Sequence, residues 1–239
     1  MGKIRLYIDH GFGPGQVVPL GTDQLHYLST VMRLPPGAEI AVFNGRQGEW
    51  TARLVSAGKR GGAVELGTPA APQLDPPDLW LVFAPIKKTR TDFIVEKAAE
   101  LGAARILPVQ TDHTNSERIR RDRLQAHAVE AAEQCGGTFV PTVDDLVPLA
   151  RLLDGWNPAR RLLWADEALA GPAETLAGLP GGPWAILIGP EGGWSEPERR
   201  RLSGMAGVHR ISLGPRILRA DTAAVAALTL WQAVLGDWR

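Results

Sequence analysis

The chain has 239 residues, 44% hydrophobic and 22% charged, which suits a soluble globular protein of one large or two modest domains. Lys and Arg number 26 and Asp and Glu 26, so a globally basic nucleic-acid binder is excluded, although a local basic patch is still enough to contact phosphates. One cysteine, Cys135, excludes an intrachain disulfide, and the longest apolar stretch, Ala223 to Leu235, is shorter than the ~20 residues a spanning helix needs.

The N-terminal Met1 to Arg5 lacks the apolar core of a signal peptide, so a cytoplasmic protein without a membrane anchor is expected. Residues 1–70 read as short strands and turns. Ile4 to Ile8 alternates apolar and polar residues. Gln24 to Leu34 reads as a short helix ended by Pro35-Pro36. Glu39 to Phe43, the turn signal Asn44-Gly45, and Gly48 to Val55 read as a hairpin. A small β-barrel is expected there. Residues 68–78, with four prolines in eleven positions, are the best linker, which places the domain boundary at 71–78.

Beyond it the pattern changes. Leu79 to Ala84 is a continuous apolar run, as in a buried parallel strand. Thr91 to Leu101 reads as a helix stopped by Gly102, Arg105 to Val109 as a strand, and Ser116 to Cys135 as a longer helix ended by Gly136-Gly137. Strands follow at Leu162–Trp164, Ala185–Ile188 and Val208–Leu213, with helices between them. Such alternation predicts an α/β domain over 79–239, its parallel sheet covered on both faces.

Two loops stand out. In Ile188 to Glu198 an apolar strand ends in Gly189-Pro190-Glu191-Gly192-Gly193 and feeds a helix capped by Ser195, with Glu198 completing a capping box and Pro197 in the first turn. The loop lacks the Lys-Ser/Thr pair of a phosphate loop, and Glu191 would repel a triphosphate. A carboxylate beside exposed backbone suits a cationic ligand with hydroxyls. In Leu213 to Ala224 a strand again ends in Gly-Pro and leads to a helix. Two such loops, read as ending neighbouring strands, would form one pocket at the carboxyl edge of the sheet. The last helix, Ala223 to Leu235, is apolar nearly all round, which calls for burial within the fold or against a partner. The five histidines make no spaced set with Cys135 or each other, so no metal is expected.

These motifs together resemble the bacterial 16S rRNA uracil-N3 methyltransferases, the RsmE family of the SPOUT superfamily. The two loops carry the resemblance, with His26 to Gly37, Val95 to Gly102 and Glu130 to Gly136 matching further family signatures in order. The chain departs from the family pattern at Lys87-Lys88-Thr89-Arg90 and at Gly137.

The resemblance implies a C-terminal trefoil knot and an N-terminal PUA-like barrel that binds rRNA. It implies S-adenosylmethionine as cofactor, held around Leu163, Ile188, Gly189, Glu191, Gly192, Leu213, Gly214, Ile217, Leu218 and Thr222. It also implies the small ribosomal subunit as substrate and a homodimer through the last helix. Arg219 is the candidate to stabilise charge gathering on the uracil oxygens, and Glu191 the candidate base. The expected RNA contacts are Arg5, Arg33, Arg46, Arg53, Lys87, Lys88 and Arg90. Two alternatives stay open: a ribose 2′-O-methyltransferase of the same fold, and a non-catalytic RNA-binding or ribosome-assembly protein.

Overall fold

The computed structural model describes residues 4–58, 61–116, 118–166 and 176–238. Residues Met1 to Lys3, and part of the segment between Trp164 and Ala185 where a helix is expected, lie outside the described residues. The chain divides into two compact units, Met1–Asp75 with Ala132–Val140, and Pro76–Ala131 with Pro141–Arg239.

In the first unit, β1 (Arg5–Tyr7), β2 (Val17–Leu20), β3 (Glu39–Phe43), β4 (Glu49–Gly58) and β5 (Gly61–Ala71) form one sheet in the order β1-β3-β4-β5-β2. β1 pairs with β3 in parallel and the remaining pairs are antiparallel. Alternation decides which face is buried: in β4, Trp50, Ala52 and Leu54 point inward while Arg53 and Val55 are exposed. They join Leu6, Ile8, Val18, Leu28, Ile40, Val42, Val64 and Leu66 in the core. Register shifts between β4 and β5 bend the pair and curl the sheet.

The hairpin of the sequence reading is present, its turn being the five residues 44–48, where Asn44 Oδ1 accepts the backbone N–H of Arg46 and of Gln47. Two details differ. The short helix α1 (Thr22–His26) continues as a wider π-type turn, Tyr27–Val31, and stops before Leu34. Arg33 has φ 53°, and Leu34, directly ahead of Pro35, is steered away from helix. The first residues of the Pro-rich segment are strand, with Pro69 opposite Trp50. β2 covers β5 only at 62–65, so Pro69 lies where that side of β5 is an edge and its missing N–H leaves no gap.

The second unit contains β6 (Leu79–Phe83), α2 (Lys88–Glu100), β7 (Arg105–Gln110), most of α3 (Arg121–Cys135), β8 (Thr142–Val143), β9 (Val147–Pro148) and α4 (Leu149–Asp154). It continues with β10 (Arg161–Ala165), β11 (Trp184–Ile188), α5 (Glu196–Gly204), β12 (Val208–Ile211) and α6 (Ala220–Val234). The sheet order is β12-β10-β11-β6-β7-β8, with β9 also on β7, and every pair is parallel. All five β11 residues are buried, as expected for a central strand covered on both faces. α3 begins at Arg121, not Ser116, with Asp122 in its first turn, and Asn115 and Ser116 line a cleft. α6 is not buried on every side. Ala224, Ala227, Leu228, Trp231 and Gln232 face inward, and the helix packs on α2 and β11, while Leu230 is 45% exposed.

Candidate active site

Because the sheet is all parallel, the loops after β6, β7, β10, β11 and β12 leave from one edge. That edge is where open α/β sheets bind ligands. The two motif loops are not on neighbouring strands as the sequence reading had it, because β10 runs between β11 and β12. Leu163 lies in that intervening strand, paired with Ile186 of β11 and His209 of β12. Strand order is a long-range property, and local periodicity carries no trace of it.

The first loop is built around Trp194. Its indole is buried and meets Trp164 edge to face at 6.0 Å. A Cβ on Gly189 would lie 2.7 Å from the indole Cε2, so only glycine lets the backbone pass. The turn closes with the Gly193 N–H donating to the Pro190 carbonyl at 3.0 Å, Gly193 having φ 69°. Ser195 caps α5, its Oγ accepting from the Glu198 N–H while the Glu198 carboxylate accepts from the Ser195 N–H at 2.9 Å, as the capping box predicts. Glu191 is exposed and makes no ion pair among the described residues.

The loop after β7, which the sequence reading passed over, clamps this one. Asp112 Oδ2 hydrogen-bonds Ser195 Oγ, and the Asp112 N–H donates to Glu198 Oε1 at 3.0 Å. His113 Nδ1 is 3.0 Å from the Gly192 carbonyl and 3.1 Å from that of Gly193. A run of polar residues directly after a strand of a parallel sheet, Thr111 to Ser116, is the signal that could have found it. Asp166, just past β10, is also new: its buried carboxylate accepts from Arg199 of α5 and Arg210 of β12. One acid thereby ties together the elements that carry both motif loops.

The second loop, residues 212–219, is open. Ile217 is 84% exposed, Leu213 and Leu218 are half-buried, and Gly214 has φ 109° with no atom near its missing Cβ. Among the described residues, no backbone hydrogen bond to another backbone group engages 213–218. Arg219 is the N-cap residue of α6, exposed and without an ion pair among the described residues. Asp221, two residues on, is bound by Arg90 and accepts the Thr222 N–H at 2.9 Å.

A cleft of about 210 Å³ opens at the ends of β6, β7 and β11, lined among others by Lys87, Lys88, His113, Asn115, Ser116 and Glu191. Lys87, Lys88 and Arg90 sit at the N-terminus of α2, which has no acidic residue in its first turn. Cations at that end oppose the helix dipole. Lys87 and Lys88 are exposed and have no acidic partner among the described residues.

In the first unit, Arg5 is not a surface arginine. Its Nε donates to Glu49 Oε2 at 2.7 Å, and its terminal nitrogens donate to the carbonyls of Ala132, Glu133 and Gly137 at 2.7, 3.0 and 2.7 Å. Those donors are committed to holding the end of α3, which corrects the expectation of a phosphate contact. Arg33 is exposed, while Arg46 pairs with Asp9 and Arg53 with Glu39 on the open surface. Among the described residues no helix is long and apolar enough to cross a membrane, and no group of three His, Cys, Asp or Glu side chains is placed to hold a metal.

A family model described as an RNA methyltransferase domain matches residues 73–232, and one described as an RNA methyltransferase PUA domain matches 20–66. The chain is 32% identical, over 91% of its length and 73% of the relative's, to ribosomal RNA small subunit methyltransferase E of Synechocystis. It is 30% identical to the Bacillus subtilis protein of that name, over 87% and 86% of the two chains. The crystal structure of ribosomal RNA small subunit methyltransferase E from Neisseria gonorrhoeae bound to S-adenosyl methionine superposes with a TM-score of 0.90, at 29% identity and over the full length of both chains. With the methyltransferase model matching well over half of the chain, the protein belongs to the RNA methyltransferase family, a PUA domain preceding its methyltransferase domain.

Proposed function

We propose that this protein transfers a methyl group from S-adenosylmethionine to N3 of a uracil in the 16S rRNA of the small ribosomal subunit. The observation that carries the reading is the pair of loops at one sheet edge. One is a tight glycine turn with an uncommitted carboxylate. The other is an open segment whose backbone, among the described residues, bonds to no other backbone group, Gly214 being held only by the Ser212 hydroxyl. The residues fit the cofactor. The peptide groups of Leu213 to Leu218 and the apolar side chains of Ile217 and Leu218 suit an adenosine. Leu163, Ile188 and Gly189 would form its floor, Gly192, Gly214 and Thr222 its rim, and Glu191 its charge partner. When bound, the cofactor supplies an electrophilic methyl group on a sulfonium.

The remaining work falls to the chain. Arg219 is exposed, has no ion pair among the described residues, and would hold negative charge that gathers on the uracil oxygens. Lys87 and Lys88 would meet backbone phosphates, and the N-terminus of α2 favours an anion at the same place. Among the described residues of the first unit, Arg33, Arg46 and Arg53 are exposed cations available to rRNA, and surface pairs such as Arg46 with Asp9 are weak enough to exchange for phosphate. N3 lies on the pairing edge, so the base must be unpaired or flipped. A homodimer through α6 would cover Leu230, and Trp238, which is 51% exposed. The trefoil knot fits a chain in which β10 runs between the strands of both loops. A ribosomal substrate would be met in the cytoplasm.

The test uses small subunits from cells lacking the endogenous enzyme, incubated with this protein and labelled S-adenosylmethionine. Digested rRNA is then resolved into nucleosides by mass spectrometry. Label in 3-methyluridine is expected. Label in a ribose-methylated nucleoside would transfer the reading to 2′-O-methylation, and no label with no cofactor binding would leave an RNA-binding protein. Arg219→Ala should keep cofactor affinity and lose turnover.

A further inference from the structure

Uracil N3 carries a proton, and its lone pair is delocalised into two carbonyls, so methylation needs an acceptor for that proton. Two side chains lining the cleft are able to take it, Glu191 and His113. An ordinary imidazole is a stronger base than an ordinary carboxylate by about two pKa units, which brings it nearer to a weakly acidic imide.

The setting of His113 fixes which nitrogen is available. Nδ1 lies within hydrogen-bond distance of the Gly192 and Gly193 carbonyls, and a carbonyl only accepts, so Nδ1 carries the hydrogen. In the neutral ring the lone pair is then on Nε2, which has no hydrogen-bond partner among the described residues. The ring is also held in place. A Cβ on Gly192 would come within 3.1 Å of the His113 Cβ, so the two backbones are in close contact there. The neighbouring Asp112 is bonded to Ser195 and to Glu198. An acceptor orienting one ring nitrogen while the other keeps its lone pair is the arrangement of a catalytic imidazole. The cleft itself, about 210 Å³, is smaller than the ~300–1,000 Å³ of sites that enclose a whole small molecule. It suits a single base, not a complete nucleoside sulfonium.

We propose that His113 is a catalytic residue that accepts the N3 proton of the target uracil in this cleft, an inference that rests on the uracil-N3 reading above. The N3–H bond breaks toward Nε2. The N3 electron pair forms the bond to the methyl carbon as the carbon–sulfur bond breaks, its electrons staying on sulfur. The positive charge of the sulfonium is replaced by that of an imidazolium, whose Nδ1–H remains bonded to the two carbonyls. Among the described residues, Lys87 and Lys88 at the N-terminus of α2, Asp112 beside the ring, and Glu191 and Glu198 from the facing loop and α5 are the charged groups around it.

Two variants separate proton transfer from loop clamping. His113→Asn places an amide N–H near the position of Nδ1–H, keeping a donor to the carbonyls without a base. His113→Ala removes both. With wild-type label established in 3-methyluridine, His113→Asn is expected to keep cofactor affinity by calorimetry and KM for subunits. It should lose about 10²–10⁴-fold in kcat and the acid limb of the pH–rate profile. A readout independent of turnover is nitrogen NMR of the imidazoles in cofactor-free protein, where His113 is expected as the Nδ1–H tautomer. An Nε2–H tautomer, an undiminished kcat with an unchanged pH profile, or a loss confined to cofactor affinity would each overturn the assignment. Wild type that labels a position other than N3 would remove the underlying reading, and the inference with it. Full activity of His113→Asn at N3 overturns the inference alone.

Discussion

Arg5→Ala should destabilise the first unit far more than it weakens RNA binding. The Arg5 side chain is 11% exposed and that of Glu49 18%, so solvent screens their pair little. The guanidinium also lies 4.6 Å from the centroid of the Phe43 ring. Three of its four acceptors are carbonyls at or just past the end of α3, groups that a helix cannot satisfy internally. Hydrogen bonds to charged groups contribute about 1.5–3 kcal/mol each, but such contributions do not add, and removing one partner of a buried ion pair costs about 3–5 kcal/mol. A loss of about 3–5 kcal/mol is therefore expected, a large part of the ~5–15 kcal/mol that holds a typical domain folded. Arg5→Lys should recover only part of it, because an ammonium lacks the planar fork that reaches four acceptors. Urea unfolding gives the magnitude, and amide hydrogen exchange across residues 4–75 shows whether the loss sits in that unit. If Arg5→Ala instead changed stability by less than ~0.5 kcal/mol while lowering the salt slope of rRNA binding by ~0.9, the arginine would be a phosphate contact and the reasoning would fail.

Gly189→Ala forces a methyl group into the Trp194 indole and should cost about 1–3 kcal/mol as overpacking, with cofactor affinity falling as the loop shifts; thermal unfolding and calorimetry measure the two effects. Asp166→Asn leaves two guanidiniums facing a neutral amide. The cost should be about 3 kcal/mol, at the low end of the ~3–5 kcal/mol for a broken buried pair because Arg210 is partly exposed, and weakened cofactor binding should accompany it in the same assays. Lys87→Ala and Lys88→Ala should each reduce the salt slope of rRNA binding by about 0.7–0.9 in a filter-binding titration, while stability holds or rises slightly because each removes a cation from the positive end of α2. Unchanged salt slopes would take these two lysines out of the RNA contact surface.

What the sequence disclosed was local. The cap of α5 could be read directly, since Ser195 and Glu198 stand three apart and both of their hydrogen bonds form. The left-handed stops at Gly102 and Gly136 and the buried run of β6 were equally plain. What it hid was either long-range or carried no repeating pattern. Nothing in residues 161–165 announces that they insert between two later strands. Asp166 is a lone charge after an apolar run, and only the fold brings Arg199 and Arg210 to it. Arg5 read as a surface cation because three of its four acceptors are carbonyls more than 120 residues away. His113 looked like one scattered histidine until the parallel sheet put its loop beside the glycine turn.

Several places where this chain departs from local preference involve groups that the proposed function uses. Arg33 takes a positive φ that a non-glycine residue rarely adopts. The first turn of α2 carries cations where a helix favours acids. The 213–218 backbone is left open beside an exposed isoleucine. A fold selected for stability alone would have replaced each at little expense elsewhere, since none of them supports the core. Each is instead suited to an external group: phosphate for the cations, a nucleoside for the open backbone. The helix dipole argues the same way for Lys87 and Lys88, because what is unfavourable in the isolated chain becomes favourable once an anion sits between the lysines and the helix N-terminus.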